Sequence, residues 1–380
     1  MMKKVVQILN IAVFIGFLVL LAIVSLVIPE DDFSEAENRY LAEFPDFTIS
    51  DWLSGDYSED LTDWLDDHFA LRTNWITLHT DLELLQGRNE VNGVYITSDR
   101  LLELTEEIDY SVVDSSLEAI SYLSSLTDTP VYVMLVPTAA EIYSDEVDYI
   151  NKKVSQRELI SYAYSYLSEN STVETIDVYN ALYSEREEYI YYRTDHHWTS
   201  KGAYLAYNLA SDVMGYTAST LDKFDVKYAS HSFYGSLDSK VLYRGIEADT
   251  VEFYLSNTRT VSKVVTDDDG DASYVSVFDE SYLSSKDKYL CYLGENVAST
   301  QVVSDSTGGS LLVIKDSYAN CLIPFLAENY SSITVLDLRY LTNPATSIGD
   351  LSDYDSILIL YNASNFAEDT NLPKLKLLKN

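Results

Sequence analysis

The sequence predicts an α/β protein carried behind an N-terminal membrane-spanning helix. Two patterns carry that expectation: a long apolar run at the start of the chain, and strand-length apolar runs alternating with stretches of helical periodicity. The chain has 380 residues, with 25 Lys and Arg against 61 Asp and Glu, so its formal charge is 25 − 61 = −36. Apolar residues make up 47%, which is ample for a packed core despite that charge. The acidic balance repels phosphate backbones, and no basic cluster interrupts it, so nucleic acid is excluded as a partner. Broad docking on anionic lipid is disfavoured for the same reason. Two cysteines, Cys291 and Cys321, are too few for a disulfide framework or a four-cysteine zinc site. Tyrosine is in surplus, 32 against 12 Phe and 4 Trp, which suits flat hydrogen-bonding faces for sugars as well as ordinary packing.

Residues 1–28 read as a short cytoplasmic N-terminus and a transmembrane anchor. Lys3 and Lys4 precede an apolar run from Ile8 to Ile28, 21 residues interrupted only by Asn10, Gly16 and Ser25. At the helical rise this run spans about 30 Å, enough to cross a bilayer core. Positive residues before it and Glu30-Asp31-Asp32 after it predict an N-in, single-pass orientation with the rest of the chain extracytoplasmic. No A-x-A cleavage site precedes Pro29, although a cleaved signal peptide would leave the same compartment assignment.

Residues 29–90 form an acidic juxtamembrane region whose second half reads helical, with Trp52, Leu61, Trp64, Leu65 and Phe69 in an interrupted apolar stripe. In residues 91–219, short strands follow a turn at Gly93, and a helix is expected over Tyr110–Leu126. The run VYVMLVP (Val131–Pro137) reads as a buried parallel strand. A helix near Gln156–Leu167, the strand VETIDVY and a helix after Thr199 complete that part. Residues 220–305 change character to β-prone stretches such as TVEFYLS and KYLCYL, which reads as an insertion. Residues 306–380 return to the α/β pattern with LLVI (Leu311–Ile314), a helix through CLIPFLAENY, and the strands SITVLDL and SILILY (Ser356–Tyr361). Within the insertion, Asp267, Asp268, Asp269 and Asp271 lack the spacing and the distal Glu of a calcium loop, so a solvated acidic turn is expected.

Two motifs carry chemistry. Asp195-His196-His197-Trp198 sets two of the five histidines beside an acid, just before a helix opening at Thr199. A metal site there would need further ligands, and His68, His79 and His231 are scattered without an H-x-x-x-H or H-E-x-x-H pattern. Asp316-Ser317-Tyr318-Ala319-Asn320 follows an apolar strand, so Ser317 falls at the carboxyl end of a parallel strand, where open α/β sheets place ligands. A serine there is ordinarily a helix cap. As a nucleophile it needs a base and a group fixing the base's tautomer, and Asp195 with a neighbouring histidine supplies both.

The stretch TDHHWTSKGAYLAYNLA resembles the signature of the DHHW family, which is similar to the extracytoplasmic O-acetylation proteins of alginate biosynthesis within the SGNH hydrolase superfamily. FSEAENRYLAEFP, DDHFALR, NGVYI, LVPTAAEIY, FYGSLDSK, IKDSYAN and VLDLRY resemble further family blocks. The resemblance implies a three-layer SGNH-like parallel sheet, circularly permuted because the serine comes last, with a β-rich insertion. It implies His197 as base, five residues before Gly202, with Asp195 behind it and Ser317 as nucleophile. An oxyanion-hole asparagine is expected at Asn362 or Asn365, and substrate contacts at His196, Trp198, Tyr318, Arg339 and Tyr340. No cofactor and no metal are implied. The expected activity is O-acetylation of a cell-surface or secreted polysaccharide through an acyl-serine, served by a membrane-bound acyltransferase partner. A carbohydrate acetylesterase of the same fold and a non-catalytic glycan-binding module are the alternatives.

Overall fold

A computed structural model describes residues 2–27, 31–105, 107–148, 154–266, 270–342 and 348–378. Asp267, Asp268 and Asp269 of the acidic turn lie outside the described residues. The chain divides into two compact units, Met1–Asn92 with Asp238–Arg244, and Gly93–Leu237 with Gly245–Asn380.

The first unit opens with α1 (Met2–Val27), whose segment Lys3–Ser25 is long and apolar enough to cross a membrane. Two-residue strands β1 (Phe33–Ser34) and β2 (Arg39–Tyr40) pair antiparallel. Helices α2 (Ile49–Ser54), α3 (Asp56–Asp67) and α4 (Arg72–Leu85) follow, then β3 (Glu90–Val91). The Thr48 hydroxyl accepts from Asp51 N at the start of α2, and Gly55, at φ 99°, ends that helix in the left-handed conformation glycine tolerates best. Of the predicted apolar stripe, Trp64 is buried against Phe44 and His68, while Trp52, Leu65 and Phe69 are exposed. Arg39 and Arg72 knit Glu37 and Asp67 into an ion-pair network, with Arg39 Nη1 to Asp67 Oδ2 at 2.8 Å and Arg72 Nε to Glu37 Oε1 at 2.9 Å.

The second unit is mixed α/β. Its elements are the hairpin β4 (Val94–Ile96) and β5 (Leu101–Glu103), α5 (Tyr110–Ser125), β6 (Val131–Val136), α6 (Ala139–Ile142), α7 (Gln156–Asn170), β7 (Glu174–Thr175), α8 (Tyr179–Ser184) and α9 (Ser200–Met214). Then come β8 (Phe224–Phe233), α10 (Ser236–Val241, which crosses into the first unit), β9 (Asp249–Ser256), β10 (Val261–Thr266), β11 (Ala272–Ser276) and β12 (Ser299–Ser304). The chain closes with β13 (Ser310–Lys315), α11 (Ile323–Leu326), β14 (Ser332–Leu336), β15 (Ser356–Asn362) and α12 (Ala363–Glu368).

Among the described residues the main sheet has eight strands in the order β11-β10-β12-β14-β13-β15-β6-β7. Strands β14, β13, β15, β6 and β7 run parallel, and β12, β10 and β11 extend the β14 edge antiparallel. Strands β8 and β9 form a separate two-stranded sheet. Successive residues of a strand point to opposite faces. Tyr132, Met134 and Val136 of β6 accordingly enter one core, with Ala203, Ala206 and Ala210 of α9. Val131, Val133 and Leu135 enter the other, with Leu117 of α5 and Leu159 of α7. Burial on both faces explains why these strands read as unbroken apolar runs.

The helix expected through CLIPFLAENY is short. A 3₁₀ turn covers Ser317–Cys321, and α11 starts only at Ile323, with Pro324 in its first turn. Proline lacks the donor that a helix interior needs, and Cys321–Ala327 are buried all round, so no amphipathic stripe exists to support a longer helix.

Candidate active site

Asp195, His196 and His197 lie in a chain reversal. Tyr191 and Trp198 form an antiparallel bridge, Tyr192 N donates to His197 O at 3.2 Å, and Thr199 N to Ile190 O at 2.9 Å. Immediately afterwards the Thr199 hydroxyl caps α9. Gly202 lies in the first turn of that helix because a Cβ there would stand 2.4 Å from the Ile190 carbonyl oxygen. The spacing that marks the motif is thus a close-approach requirement.

The reversal is held from outside by Asp249, at the start of β9. This buried carboxylate accepts from Tyr189 Oη at 2.6 Å, Arg193 N at 2.7 Å, Thr194 N at 2.8 Å and Thr194 Oγ1 at 2.5 Å. Nothing in the local sequence signals Asp249, since it is one acid among 61 and lies far from both chemical motifs in sequence.

The structure brings Ser317 to His197 and Asp195. His197 Nε2 is 2.7 Å from Ser317 Oγ, and His197 Nδ1 is 2.6 Å from Asp195 Oδ1. The same Asp195 oxygen accepts from His197 N at 3.0 Å, and its other oxygen from Ser236 N at 2.8 Å. The two-residue Asp-x-His spacing therefore lets one carboxylate cap its own turn and hold the ring. Gly235 faces Asp195 so closely that a Cβ would lie 2.3 Å from Asp195 Cβ. Asp195, His197 and Ser317 are all buried, with Ser317 9% exposed.

Electrostatics divide the pair. Burial pushes Asp195 toward the neutral form, but the charges of His197 and His196 and the hydrogen bonds from His197 and Ser236 N outweigh it and hold the carboxyl well below its usual range. Burial first, then the charge of His196, push His197 down to about 4 against the opposing pull of Asp195. At neutral pH this is a neutral imidazole with an ionised partner, the state in which Nε2 can accept a hydroxyl proton.

Tyr289 was not singled out by the sequence. Its ring stacks on His197 with centroids 3.6 Å apart and planes 7° apart, and its hydroxyl donates to Ser317 O at 3.0 Å. Asp287, which caps the Tyr289 turn, is pushed up to about 6 by burial and then by the charge of Asp195, with His196 opposing.

Trp198 and Tyr318 were expected to touch substrate, but both are fully buried. They tie the two motifs together instead: Trp198 Nε1 donates to Tyr318 O at 2.8 Å, and Tyr318 Oη donates to His196 O. Arg339 forks onto Asp337, with Nε to Oδ1 at 2.9 Å, and Tyr340 is exposed. His196 stacks beside His197, sits 2.6 Å from Ser236 Oγ through Nδ1, and lines a cavity of about 460 Å³. Asn362 and Asn365 line the same cavity, as do Glu103, Glu107 and Glu368; Arg339 and Tyr340 do not. Asp316 Oδ2 gathers the asparagines, accepting from Asn362 Nδ2 at 2.7 Å, Asn362 N at 2.9 Å and Asn365 Nδ2 at 3.0 Å. Each amide nitrogen carries a second N–H beyond that bond.

Donor atoms of Asp195, His196 and His197 lie within 4.8 Å of one another, which would suit an ion. Yet both ring nitrogens of His197 are engaged by Asp195 and Ser317, and His196 Nδ1 by Ser236.

No curated protein sequence matches the chain. A DHHW family protein from Eubacterium siraeum, solved as a crystal structure, is 23% identical over 77% of this chain and 98% of its own, with a TM-score of 0.63. Bacillus cereus PatB1 is 19% identical over 73% of this chain and 97% of its own, with a TM-score of 0.60. Its structure with a sulfonyl adduct gives 18%, 75%, 97% and 0.59 in the same measures. The family model described as DHHW protein matches residues 93–336, well over half of the sequence, and the chain therefore belongs to the DHHW family.

Proposed function

We propose that this protein is a membrane-anchored, extracytoplasmic SGNH-type O-acetyltransferase that modifies a cell-surface or secreted polysaccharide. The observation that carries the reading is His197 held between Asp195 and Ser317 by hydrogen bonds of 2.6 and 2.7 Å. Ser317 Oγ attacks the acyl carbonyl carbon of a donor while His197 Nε2 takes its proton and Asp195 stabilises the imidazolium. The oxyanion is held by Ser317 N–H and an amide N–H of Asn362 or Asn365. Collapse passes the proton to the leaving group and leaves acetyl-Ser317. A sugar hydroxyl, deprotonated by His197, then attacks the acyl carbon, and Ser317 Oγ leaves with the proton returned by His197. Water in place of the sugar would make the same site an acetylesterase.

Strand order supports a three-layer, permuted SGNH architecture. Counted from β13, which leads into Ser317, the strands run β13, β14, β15, β6, β7, and their order in the sheet becomes 2-1-3-4-5. That is a doubly wound arrangement, with Ser317 at the carboxyl edge of its first strand. The domain scheme we favour keeps residues 91–219 and 306–380 as the two parts of this fold, around an insertion at 220–305. The anchor is α1, N-in, and a membrane-bound acyltransferase partner delivers the acyl group from across the bilayer. Glu103, Glu107 and Glu368, with no Lys or Arg among the described residues that line the cavity, favour a neutral acceptor over a uronate polymer.

Intact-mass spectrometry with an activated acetyl ester tests the reading. The wild-type chain is expected to gain one acetyl group and Ser317→Ala none. An equal gain in both would remove Ser317 as nucleophile. Product analysis with neutral oligosaccharides present then separates acetylated sugar from free acetate.

A further inference from the structure

The turn between α3 and α4 is an apolar knuckle with no evident packing purpose. Phe69 and Leu71 are 41% and 59% exposed, and Trp75, on the first turn of α4, is 39% exposed. Leu71 adopts the left-handed conformation, at φ 62° and ψ 28°. Such a backbone is unfavourable for a bulky residue, and an exposed side chain recovers nothing by packing. The knuckle is nonetheless rigidly built. Arg72 reaches across it to Asp66 O at 2.9 Å and holds Glu37, while Asp67 is gripped by Arg39. Trp75 Nε1 donates to Ala70 O at 3.1 Å, which turns the indole's polar edge inward.

The position of the knuckle gives it meaning. Ala70 N donates to Ser25 Oγ at 2.9 Å, and Ser25 is the last residue of the apolar segment Lys3–Ser25. If that segment crosses a membrane, Ser25 lies at the bilayer surface, and Phe69, Leu71 and Trp75 lie within a side chain's reach of it. From these contacts we infer that the α3–α4 knuckle is a second membrane contact, in which Phe69, Leu71 and Trp75 seat in the interfacial layer of the lipid. The inference rests on the anchor reading of α1. Tryptophan and other apolar side chains favour that layer, and insertion there is apolar rather than electrostatic, as a chain of charge −36 requires. The seat would fix the first unit against the surface instead of leaving it to swing on one helix.

The test uses the full chain in phosphatidylcholine vesicles at less than one copy per vesicle. Leu71→Cys and, separately, Phe69→Cys are labelled with a small environment-sensitive fluorophore. Cys291 and Cys321 are buried and burial pushes both thiols up, Cys321 to about 12, so labelling is selective. Nitroxides placed high in the lipid acyl chains are expected to quench both labels several-fold, while aqueous iodide quenches them weakly and added salt changes neither result. Strong iodide quenching without nitroxide quenching overturns the seat. Protection from both quenchers also overturns it, in favour of contact with protein. Flotation after alkaline carbonate separates the two readings: a chain that stays with the vesicles but fails the quenching test keeps its anchor and loses the seat, and a chain that washes off loses both.

Discussion

Replacing Gly235 by alanine should disable the site without unfolding the protein. Gly235 is not among the positive-φ glycines, so alanine brings no left-handed backbone penalty there. The added Cβ would lie 2.3 Å from Asp195 Cβ and 2.4 Å from Asp195 Oδ2, against an ordinary contact of at least 3.4 Å. One of the two segments must therefore move by about 1 Å, from the difference 3.4 − 2.3. Because the nearest atom is Asp195 Cβ and not a flexible side-chain tip, the movement carries the carboxylate with it. It also strains the 2.8 Å bond from Ser236 N to Asp195 Oδ2. A misplacement of that size costs about 10²-fold in rate, or about 2.7 kcal/mol of transition-state stabilisation. Complete loss of the aspartate's function sets the ceiling at about 10⁴-fold. Steady-state hydrolysis of an activated acetyl ester measures kcat, and thermal unfolding by circular dichroism monitors the fold. A Gly235→Ala protein with wild-type kcat would refute the claim that this wall positions Asp195; an unfolded one would refute the claim that the strain is local.

Three further outcomes are expected. His197→Ala should lower turnover by about a thousandfold or more, as removal of a triad base does, and His196→Ala distinctly less; activity assays rank them, and the reverse order would reassign the base. The folded value of His197, about 4, is below the ordinary 6.5, so its base form survives acidification that would protonate a free imidazole. The acid limb of kcat/KM should therefore fall below 6.5, toward about 4. Between those values the unfolded chain binds a proton that the folded chain excludes, so this group's contribution makes stability rise with pH there, as urea titrations across the window would register. Finally, Asp249→Asn should replace one oxygen that accepts two hydrogen bonds with a donor, costing roughly 2 kcal/mol or more in urea unfolding, because a buried backbone N–H and a hydroxyl both lose their acceptor.

The legibility of this site depended on how local each signal was. Asp195 and His197 are two residues apart, and Ser317 follows a strand with a four-residue apolar run, Leu311–Ile314, so short windows held enough to pair them. Strands β6, β13 and β15 were readable because burial on both faces leaves no polar residue to break the run. Tyr289, Ser236, Gly235 and Asp249 were not readable, because their importance lies in what they touch across the fold. A tyrosine that stacks on His197 has the same local sequence character as any of the other 31. Trp198 and Tyr318 differ from expectation for a related reason: the resemblance implied substrate contacts for them, whereas their polar atoms reach the opposite motif's backbone. The acidic composition concealed Asp249 altogether.

The strand order also bears on how the molecule can be made. β6 and β7 belong to one end of the sheet, and β10 to β12 to the other; the strands that join them, β13, β14 and β15, are the last to be synthesised. The sheet is closed like an arch, by keystones delivered at the end. Until β15 arrives, β6 has an apolar edge with no neighbour on that side, an invitation to the wrong partner. His197 likewise precedes Ser317 by 120 residues, which at about 5–20 residues per second is about 6–24 s of synthesis. A serine without its base is a poor nucleophile, so the proposed chemistry must wait until Ser317 has joined a chain that already holds His197. Loss of β15 would withdraw the central keystone, and the two flanking groups of strands would part.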